Sequence, residues 1–196
     1  MDTQPELAWK QLFLNLSRRV DVKVTYNGTH STHVAYWVKA IAKKLELSEQ
    51  YIQTVFWASL FHDIGKIGVP DEVLTKNGPL TKDEWVIMKL HPVVGANIVN
   101  SLNSLADTTS LIRSHQEKFD GSGYPKGLIG LEIPLGARIL AVVDAYDAMT
   151  NKRVYRSACS HEEAVTELNN MRGRHFDPQV VDVFLEVLES QSYTSN

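Results

Sequence analysis

Hydrophobic positions recur along this chain at the spacing of amphipathic helices. One such face begins near residue 28 and is formed by His33, Val34, Trp37, Val38, Ile41 and Leu45. We expect His33 to be packed with the rest of this face. A similar spacing from Ile52 to Leu60 runs directly into the dipeptide His62-Asp63. The periodicity predicts two helices. Ser48 is placed to cap the second one, and Gly65 stands just past its end, where helices commonly stop.

Capping motifs predict the starts of three further helices. Residues 81–84 (Thr-Lys-Asp-Glu) form a capping box, and we expect the helix that it begins to carry His91 about two and a half turns downstream. Residues 160–163 (Ser-His-Glu-Glu) form a second capping box. Residues 177–178 (Asp-Pro) are typical of an N-cap followed by proline at the first helical position.

The remaining pattern also favours helices. One is predicted through Leu111 and Ile112 toward His115, and another from about Pro134 to Thr150. Between them, the stretch from Phe119 to Gly136 is dense in Gly and Pro, which indicates an ordered functional loop. No strand-type alternation of useful length and no internal repeat is present. The fold prediction is therefore an all-α helical bundle.

The chain length fits one main domain. Its 196 residues are enough to bury a core without disulfides or structural zinc. We divide them into an N-terminal accessory helix or linker at 1–26, the main domain at 27–190 and a frayed C-terminus at 191–196.

Composition excludes several classes of protein. Hydrophobic residues make up 43% and charged residues 22%, as in ordinary globular proteins, and the net charge of −3 argues against binding to nucleic acid or to anionic membranes. No apolar run approaches the length of a membrane span. Cys159 is the only cysteine, which excludes an intrachain disulfide and fits a cytoplasmic location.

Histidine and aspartate residues form the candidate site. They are spaced about one helical hairpin apart, so each can project from a different helix into a shared centre: His30, His62, Asp63, His91, His115 and Asp144. Imidazole and carboxylate are the ligands of a divalent metal, and a carboxylate can bridge two metals. Asp144 follows the apolar run 139–143, where a carboxylate is costly to bury unless it is paired or metal-bound. Asp147, one turn further on, is placed to orient a ligand or a catalytic lysine.

Several longer motifs occur in a fixed order along the chain. They are HDIGKIG at 62–68, LT at 80–81, MKLHP at 88–92, HQEKFDGSGYP at 115–125, DAYDAMT at 144–150, and then Arg153, Tyr155 and Arg156. Together they resemble the HD-GYP family, the branch of the HD phosphohydrolase superfamily that cleaves cyclic di-GMP. The resemblance extends from about Gly28 to Leu185, and it implies the all-α fold of the HD-domain superfamily.

The resemblance also implies a two-metal centre. The first metal is held by His30, His62, Asp63 and Asp144, and the second shares Asp63 and adds His91, His115 and Gln116. Gln116 stands where the family has a second histidine, and an amide oxygen is a weaker and harder ligand than imidazole. We therefore expect a second site that either holds its metal loosely or favours manganese or magnesium over iron. For the two ions of the centre, iron or manganese is the first expectation and magnesium is an alternative. Tyr26 replaces the glutamate that binds a third metal in some members, so two metals are expected.

The activity implied is hydrolysis of cyclic di-GMP, to linear pGpG or on to GMP, by a hydroxide that bridges the metals. Asp63 and Lys66 are the expected catalytic residues, with Lys66 also donating to a phosphate oxygen. Arg153 and Arg156 resemble the family's phosphate-binding arginines, and Tyr124 offers a ring for base stacking. The loop 121–125 is also a candidate docking surface for proteins that synthesise cyclic di-GMP.

Two alternatives remain open. The chain could be a degenerate member that binds cyclic di-GMP or a partner protein without turnover, and Gln116 keeps this hypothesis alive. It could also be an HD-superfamily nucleotidase for deoxynucleotides or (p)ppGpp, against which His91, His115 and the long glycine-rich loop argue. The sequence is compatible with a homodimer as well as with a monomer.

Overall fold

The computed structural model describes residues 4–25, 28–151 and 158–192. In these ranges the chain forms ten α-helices: α1 (Gln4–Val24), α2 (His30–Lys44), α3 (Glu49–Phe61), α4 (Asp71–Leu74), α5 (Lys82–Met88), α6 (His91–Asn100), α7 (Thr109–Ser114), α8 (Leu135–Thr150), α9 (His161–Asn170) and α10 (Pro178–Ser192). Short 3₁₀ turns occupy Ile64–Gly68, Asn103–Thr108 and Gly130–Glu132. Pairing of extended backbone within the described ranges is limited to isolated bridges. The all-α prediction is confirmed.

The core lies between α2, α3, α8 and α10. Val38 of α2, Phe61 of α3, Leu140 of α8 and Phe184 of α10 are completely buried in one continuous cluster. Helix α1 packs against α2 and α3, where the ring of Phe13 meets Phe61 edge-on with centroids 6.1 Å apart. Because residues 193–196 lie outside the described ranges, the predicted frayed end is described only at 191–192. No described helix combines the length and the apolar character of a membrane span.

The predicted capping residues act as expected. The Ser48 side chain accepts a hydrogen bond from the backbone N–H of Tyr51, and both capping boxes, at 81–84 and 160–163, have their two reciprocal bonds. Asp177 accepts from a backbone N–H in the first turn of α10. These local signals therefore determine where four of the helices begin.

The prediction that His91 continues the helix begun at Thr81 is wrong. Helix α5 ends at Met88, and His91 is the first residue of α6. Pro92 explains the break, because it has no backbone N–H to donate to the carbonyl of Met88, four residues earlier. The imidazole Nδ1 of His91 donates a hydrogen bond to that carbonyl instead, at 2.7 Å.

Two smaller expectations also change. His33 is not packed: 46% of its side chain is exposed, with Nδ1 3.6 Å from a carboxylate oxygen of Asp147. Gly65 lies in a 3₁₀ turn beyond the end of α3 at Phe61, so it does not end that helix. Glycine is needed at this position because the backbone packs closely against another segment. A Cβ at Gly65 would lie 2.0 Å from the carbonyl oxygen of His91, so only glycine lets this turn touch the start of α6.

Candidate metal centre

Three of the predicted histidines are oriented in the same way. Each ring directs Nδ1 to the backbone carbonyl three residues earlier, at 2.7 to 2.8 Å: His62 to Ser59, His91 to Met88 and His115 to Ile112. These carbonyls lie at the ends of α3, α5 and α7, where helices leave carbonyl groups without intrahelical partners. Since Nδ1 must carry the proton to donate, Nε2 is left with a lone pair directed into the site.

The fourth histidine, His30, is held by a carboxylate. Its Nδ1 lies 2.5 Å from Oδ2 of Asp147, and the other oxygen of Asp147 accepts from the side-chain amide of Asn151 at 2.8 Å. Asp147 thus orients a predicted site residue, which is one of the two roles expected for it. With Nδ1 committed to Asp147, Nε2 of His30 faces the same centre as the other imidazoles.

Asp63 lies at the middle of the four imidazoles. Its Oδ2 is 3.9 Å from Nε2 of His30 and 3.5 Å from Nε2 of His62. Its Oδ1 is 3.5 Å from Nε2 of His91 and 3.9 Å from Nε2 of His115. Each carboxylate oxygen therefore faces one pair of histidines, as a carboxylate that bridges two cations would.

The two histidine pairs form separate groups. In the first, Nε2 of His30 and Nε2 of His62 are 3.3 Å apart, and Oδ1 of Asp144 lies 3.2 Å from the former and 3.9 Å from the latter. In the second, the Nε2 atoms of His91 and His115 are 3.2 Å apart. Both sets have the residue types and the close spacing that a metal ion requires, and Asp63 completes the second.

The charges of the centre fit bound cations. The Nε2 lone pairs of His62, His91 and His115 and the carboxylates are all acceptors, and Oδ1 of Asp63 is buried with no hydrogen-bond partner among the described residues. Lys66 donates to Oδ2 of Asp63 at 2.6 Å. A buried acceptor without a donor is costly, and lone pairs in contact repel each other. Divalent cations in the two groups would satisfy these atoms, so the residues present fit a pair of metals.

The protonation states agree with this fit. Burial lowers the pKa of His91 to about 4 and that of His115 to about 3, so both are neutral at pH 7, as metal ligation requires. Burial opposes ionisation of Asp63, but Lys66 and the surrounding histidines together outweigh it and hold the pKa of Asp63 well below its usual range. Burial likewise opposes protonation of His30, yet its hydrogen bonds to carboxylates raise its pKa to about 10. In the metal-free protein, the protonated His30 ring therefore supplies a positive charge beside Asp144 and Asp147, as a bound metal ion would.

A cavity of about 360 Å³ opens beside the centre. Its polar wall includes Lys66, His91, Gln116, Tyr124 and Asp144, and its apolar wall comes mainly from the segment 73–88. The hydroxyl of Tyr124 donates to the amide oxygen of Gln116 at 3.2 Å, and burial raises the pKa of Tyr124, so this hydroxyl stays protonated. The structure thus places the expected ligand-binding residues Lys66, Gln116 and Tyr124 on one cavity that borders the metal centre.

The predicted ordered loop depends on a residue that sequence reasoning did not single out. Glu117 is buried, and its two carboxylate oxygens accept from the backbone N–H groups of Lys126 and Leu128 at 2.7 and 3.1 Å. Gly123 is required because a Cβ there would lie 2.3 Å from the backbone nitrogen of Lys118. The signal that could have identified Glu117 is an acidic residue directly before a glycine-rich loop, where backbone N–H groups need an acceptor.

Arg153, Arg156 and Tyr26 lie outside the described residues. The expected phosphate contacts of the two arginines and the expected lack of a third metal at Tyr26 therefore stay predictions.

Comparison with known proteins identifies the family. Residues 6–180 match the family model described as HD domain. The chain belongs to the HD domain family. The match includes both groups of the metal centre and most of α1, and the HD-GYP resemblance is confirmed by the relatives below.

Curated relatives of this HD domain act on cyclic dinucleotides. A probable cyclic di-GMP phosphodiesterase of Vibrio cholerae is 41% identical over 182 residues, which cover 85% of this chain and 41% of that protein. The 3′3′-cGAMP-specific phosphodiesterase 2 of the same organism is 38% identical over 179 residues, covering 90% of this chain and 34% of the relative. The chain therefore spans less than half the length of these relatives.

A solved structure confirms the fold. The cyclic GMP-AMP-specific phosphodiesterase V-cGAP3 of V. cholerae superimposes with a TM-score of 0.70 at 22% identity, over 95% of this chain and 50% of that one. At this identity the likeness concerns the helical architecture alone.

Proposed function

We propose that this chain is a metal-dependent phosphodiesterase that hydrolyses cyclic di-GMP to linear pGpG, with GMP as the alternative end product. The observation that carries the proposal is the position of Asp63, with one pair of imidazole Nε2 atoms facing each of its oxygens at 3.5 to 3.9 Å. The adjoining cavity supports it, because it brings Lys66 and Tyr124 to the edge of the same centre. Relatives named as cyclic di-GMP phosphodiesterases give the substrate class.

Two divalent ions are the proposed cofactors, with iron or manganese as the first expectation. One would be held by His30, His62, Asp63 and Asp144, and the other by Asp63, His91, His115 and the amide oxygen of Gln116. Such a pair supplies a hydroxide nucleophile at neutral pH and neutralises charge that develops on the phosphate.

The residues of the chain supply binding and orientation. Lys66 is 13% exposed at the cavity, and its ammonium is 2.6 Å from Oδ2 of Asp63. It is placed to donate to a non-bridging phosphate oxygen once a cation takes over its carboxylate partner. Tyr124 offers its ring to a base and its neutral hydroxyl to a phosphate. Arg153 and Arg156 complete the proposed phosphate contacts.

A direct assay tests the proposal. The metal-free chain is supplied with Mn²⁺, or with Fe²⁺ under anaerobic conditions, and cyclic di-GMP, 3′3′-cGAMP or cyclic di-AMP is added. We expect chromatography to show linear pGpG from cyclic di-GMP, and we expect Asp63→Ala to lose metal and turnover together. The matched control is Asp71→Ala, which removes a carboxylate from an exposed ion pair with Lys23.

Two outcomes would favour the alternatives. If no metal supports turnover while cyclic di-GMP still binds, the chain is a sensor of the dinucleotide. If only another nucleotide is cleaved, the substrate assignment is wrong. A cytoplasmic location, a homodimer and docking of cyclic di-GMP-synthesising proteins to the loop 121–125 stay predictions.

A further inference from the structure

One face of α1 reaches the two helix ends next to His30 and His62-Asp63. Ser17 and Asp21 are four residues apart in α1, so their side chains project from the same face. Both are almost completely buried, at 2% and 1% exposure. Buried polar side chains need partners, and each of these finds its partner on a different helix.

Asp21 holds the start of α2. Its Oδ2 accepts from the backbone N–H of Ser31 at 2.9 Å, and its Oδ1 accepts from the Ser31 hydroxyl at 3.0 Å. Ser31 directly follows His30, the first residue of α2, and the residue at the N-cap position, Thr29, makes no side-chain capping bond. The capping oxygen for this helix therefore comes from α1.

Ser17 holds the end of α3. Its hydroxyl donates to the carbonyl of Leu60 at 2.6 Å. Leu60 belongs to the last turn of α3, whose carbonyls have no intrahelical partner, and His62-Asp63 follow two residues later. The bond therefore fixes the point from which the bridging carboxylate leaves the helix.

We infer that Ser17 and Asp21 are positioning residues that set the separation of His30 from His62 and Asp63. Through these residues α1 bonds to both helix ends at once, so a shift of α1 would alter the 3.3 Å separation of the His30 and His62 Nε2 atoms. Burial raises the pKa of Asp21, which is the cost of placing a carboxylate here. The inference rests on the metal centre of the proposed function, but not on the identity of the substrate.

Titration of the metal-free chain with Mn²⁺ tests the inference. We expect Asp21→Ala and Ser17→Ala each to weaken Mn²⁺ binding roughly tenfold, the low end of the effect of residues that orient metal ligands. Asp21→Asn should restore most of the affinity, because its amide oxygen can accept from the Ser31 N–H and its NH₂ can donate to the Ser31 hydroxyl. Phe13→Leu is the matched control on α1, since it loosens buried packing but keeps all three hydrogen bonds of Ser17 and Asp21.

The possible outcomes are distinct. Unchanged Mn²⁺ affinity in both alanine variants would overturn the inference, and so would an equal loss in Phe13→Leu, which would indicate general destabilisation. If Asp21→Ala does not fold, the Mn²⁺ affinities of Ser17→Ala and Asp21→Asn decide. Weaker binding in the former and near-normal binding in the latter support the inference, and equal affinities contradict it. If the variants change Mn²⁺ affinity as expected but the chain does not hydrolyse cyclic di-GMP, only the proposed function is contradicted and this inference stands. If the unaltered chain binds no Mn²⁺, the metal centre and this inference both fail.

Discussion

The Nε2 atoms of His91 and His115 lie 3.2 Å apart, and neither carries a proton to share with the other. Both rings donate Nδ1 to helix-end carbonyls, and the low pKa values of both histidines keep them neutral. Two facing lone pairs at this distance repel each other unless a cation lies between them. The protein thus holds a repulsive arrangement that a metal would convert into an attractive one.

Metal binding should therefore stabilise the fold. We expect Mn²⁺ at a hundred times its dissociation constant to add about 2.7 kcal/mol to the free energy of unfolding, which corresponds to roughly 5 to 10 °C in Tm for a chain of this size. Calorimetry with and without a chelator measures the difference. An identical Tm in both conditions would contradict a centre that binds only the folded chain.

Gln116 should limit the affinity of the second metal. Replacing it by histidine supplies a stronger ligand, so we expect Gln116→His to tighten the second Mn²⁺ by roughly tenfold or more, or to raise turnover. Gln116→Leu, which has no oxygen donor, should weaken the same binding event and free the Tyr124 hydroxyl. Titration calorimetry and the assay with cyclic di-GMP report both effects. If stoichiometry, affinity and rate are the same in all three proteins, Gln116 is not a ligand.

Gly65 should determine whether His91 reaches Asp63. The added methyl group of Gly65→Ala would meet the His91 carbonyl oxygen at 2.0 Å, so the start of α6 must shift away. We expect about 1 to 3 kcal/mol of destabilisation and loss of the second metal, with the first retained. Gly68→Ala is the matched control, because the nearest atom to its Cβ is 4.0 Å away. Metal stoichiometry measured on both variants checks this, and two bound metals in Gly65→Ala would show the contact to be unimportant.

Glu117 should affect substrate binding without affecting the metals. Glu117→Gln leaves one of the two loop N–H groups without its acceptor, which should loosen the loop that carries Tyr124. We expect KM for cyclic di-GMP to rise while Mn²⁺ affinity stays the same. Glu132→Gln changes an exposed acid at the far end of the same loop and should leave KM as it was. A loss of Mn²⁺ affinity in Glu117→Gln would show that its role is not confined to the loop.

Much of the centre could be predicted from the sequence because its residues stand in ordered motifs. His62-Asp63, His91, His115 and Asp144 are each recognisable by their neighbours, and capping residues such as Ser48 determine helix starts locally. The helix break before Pro92 was not predicted from the sequence, although proline is a local signal for it. The capping box at Thr81 predicts where α5 begins but carries no information about where it ends.

Other features depend on distant packing and leave no local pattern. Asp21 caps α2 from a different helix, so nothing in the sequence around Ser31 indicates its role. The central position of Asp63 between two imidazole pairs is likewise a property of four assembled segments, those that carry His30, His62-Asp63, His91 and His115. The close approach that requires Gly65 exists only once α6 has packed against the 3₁₀ turn.

Anomalous diffraction from crystals loaded with Mn²⁺ tests the two-metal assignment most directly. We expect two peaks about 3.5 to 4 Å apart, one on each side of the Asp63 carboxylate. One should lie among His30, His62 and Asp144, and the other beside His91 and His115. A single peak, or peaks that do not contact Asp63, would contradict a centre bridged by this residue.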